Sequence, residues 1–187
     1  MKTKGGVIAD EMGLVKTLTS LAIIGQNPSF YNDLLKENRI YSKATAIICP
    51  SHLVKQWESE IHKMYKNFNI IKILTKTQHK EISYNDIMNA DIIIISQQFL
   101  CNFKYYPTVK YDNHRFNTVG MLKTFHYFNR RLQHLLSQNP LLGLQNSENT
   151  TSFLKQKSPL LEQFMFRRIL LDESHEIFGY NLENNSA

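Results

Sequence analysis

The chain has few of the residues that cross-link small secreted folds, and it has no long apolar run. Its 187 residues include two cysteines, five prolines, seven glycines and one tryptophan. Cys49 and Cys101 form no C-x-x-C pair, so we expect two buried thiols in a reducing compartment. The histidines show no metal-ligand spacing, which argues against a zinc site. No run approaches the ~18 apolar residues of a membrane span, and no secretory signal is visible. We therefore expect an intracellular protein with no membrane partner.

Size and charge narrow the function further. The chain carries 22 basic and 16 acidic residues, a formal net charge of +6, which suits a polyanionic partner. Its length is enough for one domain with a real core, whereas a two-lobed motor needs roughly twice the usual ~100–200 residues of a single domain.

Short β-branched runs alternate with helix-like segments along the chain. The runs predicted as strands are Val7–Ala9, Ala44–Cys49, Ile70–Leu74, Ile92–Ile95 and Arg168–Leu171. A helix is predicted over Lys16–Gly25, and a second is predicted after Pro50, with Ser51 as its N-cap and Trp57 on its core face. This alternation predicts an α/β fold with a parallel sheet and helices on both of its faces.

The segment from Gly5 to Thr17 has the layout of a phosphate-binding loop. An apolar strand leads into a turn and then to Lys16-Thr17 at the start of a helix. The strict pattern G-x-x-x-x-G-K-[ST] is broken twice, because Asp10 and Val15 occupy its glycine positions. A nucleotide site and an ordinary helix start are equally compatible with this segment alone.

A second candidate site follows the last predicted strand. Asp172-Glu173 comes directly after Arg168–Leu171. In a parallel sheet, ligands bind at the carboxyl ends of the strands, so the Lys16 loop and Asp172 can meet at one edge.

These segments, in this order, resemble the motifs of Swi/Snf-type ATPases, the DNA translocases of helicase superfamily two. Residues 10–17 resemble the family's D-E-M-G-L-G-K-T, and residues 50–57 resemble P-x-x-L-x-x-Q-W. Residues 91–100 are similar to the D-V-V-I-T-T-Y-x-x-L segment, with Ser96 and Gln97 in place of Thr-Tyr. Residues 168–175 resemble the Walker B strand and the D-E-A-H box.

The resemblance implies a three-layer RecA-like lobe of a P-loop NTPase that binds ATP and Mg²⁺. The nucleotide would be cradled by Asp10, Glu11, Met12, Gly13, Leu14, Val15, Lys16 and Thr17. Lys16 would reach the β/γ-phosphates, and Thr17 and Asp172 would hold Mg²⁺. Glu173 would polarise the attacking water, and His175 would couple nucleotide state to nucleic-acid binding. The Ser96 hydroxyl is a candidate for a contact to the phosphate backbone of a nucleic acid.

The stretch from about 102 to 165 interrupts the scheme. His114–Leu136 and Phe153–Phe164 are predicted as helices, which form either a hairpin packed on the lobe or an insert that contacts DNA or a partner. The basic residues of such a contact would be Lys104, Lys110, Arg115, Lys123, Arg130 and Arg131.

We therefore expect residues 1–187 to form one ATP-binding lobe, with the second helicase lobe absent from the chain and supplied elsewhere. The complete motor would bind duplex DNA without sequence preference. It would act in the nucleus or at another site of DNA metabolism, which includes a site of viral DNA metabolism. The alternative is a catalytically inactive module that binds nucleic acid or protein, because a β-branched Val15 crowds the phosphate position. Both Val15 and the missing second lobe argue against turnover by this chain alone.

Overall fold

A five-stranded sheet organises the protein in the computed structural model. The structure describes residues 5–9, 16–26, 35–36, 39–100, 105 and 152–173. The strands are β1 (Leu35–Lys36), β2 (Arg39–Cys49), β3 (Ile70–Ile73), β4 (Ile92–Ser96) and β5 (Phe164–Leu171). The helices are α1 (Lys16–Gln26), α2 (Val54–Met64), α3 (Lys76–Glu81), α4 (Tyr84–Asn89) and α5 (Gln97–Leu100).

The four longer strands run parallel in the order β5-β2-β4-β3, and β1 pairs antiparallel with the start of β2. All five residues of β4 are buried, as expected for a strand covered on both faces. The predicted α/β fold with a parallel sheet is therefore confirmed.

Two apolar clusters cover the two faces of the sheet. On one face, α1 and α2 contribute Leu21, Ile24, Trp57 and Ile61, which pack on Ile92 and Ile94 among others. On the other face, Ile93 and Ile95 join a cluster with Tyr84 and Ile87 of α4. The segment before β5 adds Phe153 and Leu161 to this cluster, and β5 itself adds Phe164. Successive isoleucines of β4 thus point to opposite layers, as the period of a strand requires. The result is a three-layer domain.

Helix α1 is fixed tightly against the turn that follows α2. The Tyr65 hydroxyl donates to the Leu21 carbonyl oxygen at 3.1 Å, and its ring stacks on Phe68. A Cβ at Gly25 would overlap the Tyr65 phenol ring, so only glycine permits this close approach.

Two predicted elements are wrong. Val7–Ala9 is not a strand, and Val7 is 91% exposed. A strand that short needs a neighbour for pairing, and β5 pairs only with β2 among the described residues. Phe153–Phe164 is not a helix beyond residue 154, because Pro159 and the left-handed Ser158 (φ 62°) interrupt it and β5 begins at Phe164.

Ser51 also differs from the prediction. It lies in a 3-10 turn, Ser51–Leu53, and makes no side-chain cap for α2.

Most of the proposed insert, including the His114–Leu136 helix and its basic residues, lies outside the described residues, as does Cys101. No helix in the described part of the chain is long and apolar enough to cross a membrane.

Candidate functional site

Three parallel strands end level with one another, and their carboxyl ends form the candidate site. Cys49 of β2 is in register with Ser96 of β4, and Ile48 is in register with Leu171 of β5. The residues that follow these strands therefore share one edge of the sheet. This edge carries Asp172 from the D-E-S-H segment, Ser51 from the P-x-x-L-x-x-Q-W segment and Gln97 from the third segment.

The backbone of Asp172 is held from two sides. Its N–H donates to the Ile48 carbonyl oxygen at 2.9 Å, and its own carbonyl oxygen accepts from the Gln97 side-chain amide at 3.1 Å. Gln97 is itself buried. These bonds fix the direction in which the chain leaves β5.

The Asp172 carboxylate accepts two hydrogen bonds. The Trp57 indole N–H donates to its Oδ2 at 2.7 Å, and the Glu173 backbone N–H donates to its Oδ1 at 3.1 Å. The negative charge of Asp172 also affects the pKa of Cys49. Burial first, and this charge second, raise the pKa of the Cys49 thiol to about 12.

The donor set suits Mg²⁺ held together with a substrate phosphate. Each carboxylate oxygen of Asp172 accepts one hydrogen bond and so keeps a lone pair for a cation. No three His, Cys, Asp or Glu side chains converge within the described ranges. Mg²⁺ commonly binds through one or two protein oxygens completed by phosphates and water, so a single half-buried carboxylate fits this cation.

Glu173 has an unusual backbone. Its φ is 51°, in the left-handed region that non-glycine residues rarely adopt. Strained backbone of this kind costs about 1–3 kcal/mol and clusters at functional sites. Ser158, in the connection before β5, has a similar φ of 62°, so the backbone of Glu173 is compatible with a site but does not by itself identify one.

Of the loop residues, the structure describes Lys16 and Thr17, which open α1 and are half-buried. Ser20, one turn later, donates its hydroxyl to the Lys16 carbonyl oxygen at 2.9 Å. Leu21 and Ile24 of α1 pack in the same cluster as Trp57 and Leu170. Helix α1 therefore lies on the same face of the sheet as Trp57, the hydrogen-bond donor to Asp172. Asp10, Glu11, Met12, Gly13, Leu14, Val15 and His175 lie outside the described residues, and their roles stay predictions.

Ser96 does not present its hydroxyl to solvent, so the suggested phosphate contact is wrong for this arrangement. The side chain is fully buried. Its hydroxyl bonds to the Ser51 hydroxyl at 2.7 Å, to Gln98 Oε1 at 3.0 Å and to the Phe99 backbone N–H at 3.3 Å. Ser96 therefore caps α5 and ties two motif segments together. The exposed polar groups at this position are Ser51 and Gln98.

The bond from Trp57 to Asp172 was not predicted. The core interpretation of Trp57 is correct as far as it goes, since the side chain is 5% exposed. Its N–H partner lies 115 positions away along the chain. The sequence predicted Trp57 on the core face of a helix and Asp172 after a strand, but it gave no indication that the two side chains meet.

Comparison with known proteins gives a consistent picture. The profile of the family described as SNF2-related domain matches residues 1–184. The DNA repair protein RAD5 of Debaryomyces hansenii is 32% identical over 98% of the chain. The DNA (cytosine-5-)-methyltransferase DMT5 of Verticillium dahliae is 33% identical over 53% of it. Protein CHROMATIN REMODELING 8 of Arabidopsis thaliana is 39% identical over 35% of it. The chain spans only 13%, 4% and 5% of these relatives, respectively.

Proposed function

The chain belongs to the family of SNF2-related domains, and from this premise we propose that it is the ATP-binding N-terminal lobe of a Swi/Snf-like DNA translocase. The observation that carries the proposal is the Asp172 carboxylate, fixed at the carboxyl edge of a parallel sheet whose flanking helix α1 opens with Lys16-Thr17. That edge is where sheets of this type bind ligands.

Each residue has a role in this proposal. Lys16 neutralises the β/γ-phosphates, and the first turn of α1 adds its positive end. Thr17 and Asp172 hold Mg²⁺, which when bound supplies charge neutralisation to the phosphates. Glu173, which directly follows Asp172 at this edge, orients the attacking water. His175 relays nucleotide state to the nucleic-acid side.

The wider assignments also belong to the proposal. The arginine finger and the rest of the DNA track belong to a second RecA-like lobe, either in another polypeptide or in a larger protein of which this chain is a fragment. The DNA is duplex and is bound without sequence preference. Relatives named for DNA repair and chromatin remodelling support a nuclear site or another site of DNA metabolism.

Val15 favours a second candidate, an inactive lobe that binds nucleic acid or protein. Val15 directly precedes Lys16, where the backbone must approach a phosphate closely. A β-branched residue there disfavours the dihedrals that glycine permits. The two candidates differ in one measurable property, the affinity for Mg·ATP.

Equilibrium titration with a fluorescent ATP analogue in the presence of Mg²⁺ tests the proposal. We expect saturable binding by the wild-type chain and at least a tenfold weaker affinity in Lys16→Ala, because a charge-assisted contact to phosphate is lost. Lys80→Ala is the matched control, since it removes an exposed lysine of α3, a helix that belongs to none of the four motif segments. Absence of binding, or equal affinities for all three proteins, would refute the ATP-binding lobe and leave the inactive module.

A further inference from the structure

The side chain of Trp57 connects two elements that the chain separates by 115 residues. The indole belongs to α2, and its N–H donates at 2.7 Å to Oδ2 of Asp172, just after β5. The side chain is almost fully buried. A buried indole N–H needs an acceptor, and a bond to an ionised carboxylate is among the stronger ones that proteins make.

The indole cannot easily turn away. Val54 and Ile61, on the same face of α2, are buried in the cluster that also contains Ile47 and Ile94. The ring is therefore held by packing on both sides along the helix. Since the Asp172 backbone is separately pinned to Ile48 and Gln97, the bond from Trp57 determines the orientation of the carboxylate itself.

The two hydrogen bonds fix the direction in which the Asp172 carboxylate points. Trp57 engages one oxygen, Oδ2, and the backbone N–H of Glu173 approaches the other, Oδ1. Groups that hydrogen-bond a metal-ligating side chain fix its orientation, and their loss typically reduces metal affinity 10–100-fold. A tryptophan that merely filled the core would satisfy its N–H without affecting a cation.

We propose that Trp57 is a positioning residue of the Mg²⁺ site, which orients the Asp172 carboxylate for the cation. This inference rests on the proposed function. It assigns the tryptophan of the P-x-x-L-x-x-Q-W segment to the metal side of the nucleotide site and not only to the core.

The first experiment measures the Mg²⁺ dependence of binding. At a fixed concentration of fluorescent ATP analogue, Mg²⁺ is titrated into wild type and Trp57→Phe, which keeps a ring in the core and removes the donor. We expect the half-saturating Mg²⁺ concentration to rise about tenfold in Trp57→Phe. Nucleotide binding without Mg²⁺ should stay unchanged. Ile61→Val is the matched control, because it loosens the same face of α2 without touching Asp172.

The second experiment observes the bond itself. Trp57 is the only tryptophan, so an ¹⁵N-labelled sample gives one indole N–H resonance that needs no assignment. The resonance should move upfield in Asp172→Asn, since the bond to an ionised acceptor is lost, and it should shift in wild type when Mg²⁺ is added with nucleotide. This readout does not depend on whether Trp57→Phe folds.

The outcomes separate the two claims. If wild type shows no Mg²⁺-dependent nucleotide binding, the proposed function fails and the inference fails with it. If wild type binds but Trp57→Phe matches Ile61→Val, the inference is overturned while the proposed function stands. An indole resonance unmoved by both Asp172→Asn and Mg²⁺ with nucleotide overturns the inference as well.

Discussion

At the scale of single residues, Val15 is the position where the chain departs most from a phosphate-binding loop. We predict that Val15→Gly raises the affinity for Mg·ATP, because it removes an isopropyl group beside the phosphate and restores backbone freedom. The expected gain is about 1–3 kcal/mol, the scale of such backbone strain, where tenfold corresponds to about 1.4 kcal/mol.

Val15→Ala separates the two contributions. Alanine removes most of the bulk but retains a Cβ, so it should recover only the steric part of the gain. Titration of wild type and both variants with a labelled ATP analogue gives the comparison. Equal affinities in the three proteins would mean that the loop accommodates valine and that the steric argument is wrong.

Cys49 gives a second prediction at this scale. Its thiol is fully buried, and burial together with the Asp172 charge raises its pKa from 9.0 to about 12. Thiols react as thiolates, so Cys49 should resist alkylation by iodoacetamide at about pH 8.5 in the folded chain and react after unfolding. Peptide mass spectrometry distinguishes Cys49 from Cys101. Rapid labelling of Cys49 in the folded chain would contradict the burial described here.

The same shift has a consequence for stability. A folded-state pKa above the unfolded value favours the protonated, folded form. The contribution is therefore present below pH 9.0 and is lost as the pH rises towards 12.

At the scale of elements, the apolar runs predicted β3 and β4 almost to their ends, and the amphipathic spacing of residues 53–65 predicted α2. The prediction failed where pairing with a distant strand determines the bounds of an element. Strand β2 begins at Arg39, five residues before the predicted start, because its first half alternates buried and half-buried residues beside β5. Such alternation is weaker in a sequence than a continuous apolar run.

Helices α3 and α4 were missed although a local signal exists. Thr75 and Gln78 form a reciprocal capping box at the start of α3, and Ser83 and Asp86 do so for α4. Capping boxes specify helix starts through side chain-to-backbone bonds, independently of any apolar period. The bond between Trp57 and Asp172 had no local signal, since it depends on the register of three strands.

His79 of α3 gives a prediction at this scale, because it joins α3 to the segment before β5. Its Nε2 bonds to the Pro159 carbonyl oxygen at 2.7 Å, and its Nδ1 lies 3.2 Å from the Ser158 hydroxyl. The ring is buried beside Phe99 and Tyr105. Burial lowers the pKa of His79 below 6.5, and the charge of Lys76 lowers it slightly further. The hydrogen bond to Pro159 and the charge of Glu162 raise the pKa but do not reverse the shift.

A lowered folded-state pKa means that the unfolded state binds protons more readily. The stability contributed by neutral His79 is present above pH 6.5 and is lost as the pH falls through the lower folded-state pKa. Urea unfolding at about pH 7.5 and about pH 5 should therefore show a smaller loss of unfolding free energy in His79→Gln than in wild type, since glutamine does not titrate. Equal losses in the two proteins would show that His79 does not contribute to the acid sensitivity.

At the scale of the whole molecule, apolar burial and not surface charge stabilises the fold. The ion pairs in the described part of the chain, such as Lys43–Asp91 and Lys72–Glu58, are at least partly exposed, and pairs of this kind contribute about 0–1 kcal/mol each. The net charge of +6 therefore affects mainly which binding partners the molecule attracts, and not its stability. A basic surface attracts polyanions at long range without specifying a sequence.

We predict that the 187-residue chain binds duplex DNA weakly and without sequence preference. Such binding depends on the release of counterions from phosphates, so the logarithm of the affinity should fall linearly with the logarithm of salt concentration. Fluorescence anisotropy with two unrelated duplexes of equal length, at several salt concentrations, gives both results. A marked preference for one duplex would reveal base contacts that the proposal does not include.

The same chain should not hydrolyse ATP faster when DNA is added. The transition state of phosphoryl transfer needs a finger cation in addition to Lys16, and the proposal assigns that cation to a second lobe. Phosphate release is measured with and without DNA in wild type and in Glu173→Gln, which retains the shape of the side chain but removes the carboxylate that would orient water. DNA-stimulated turnover that disappears in Glu173→Gln would contradict the prediction, because it would mean that copies of this chain supply the finger to one another.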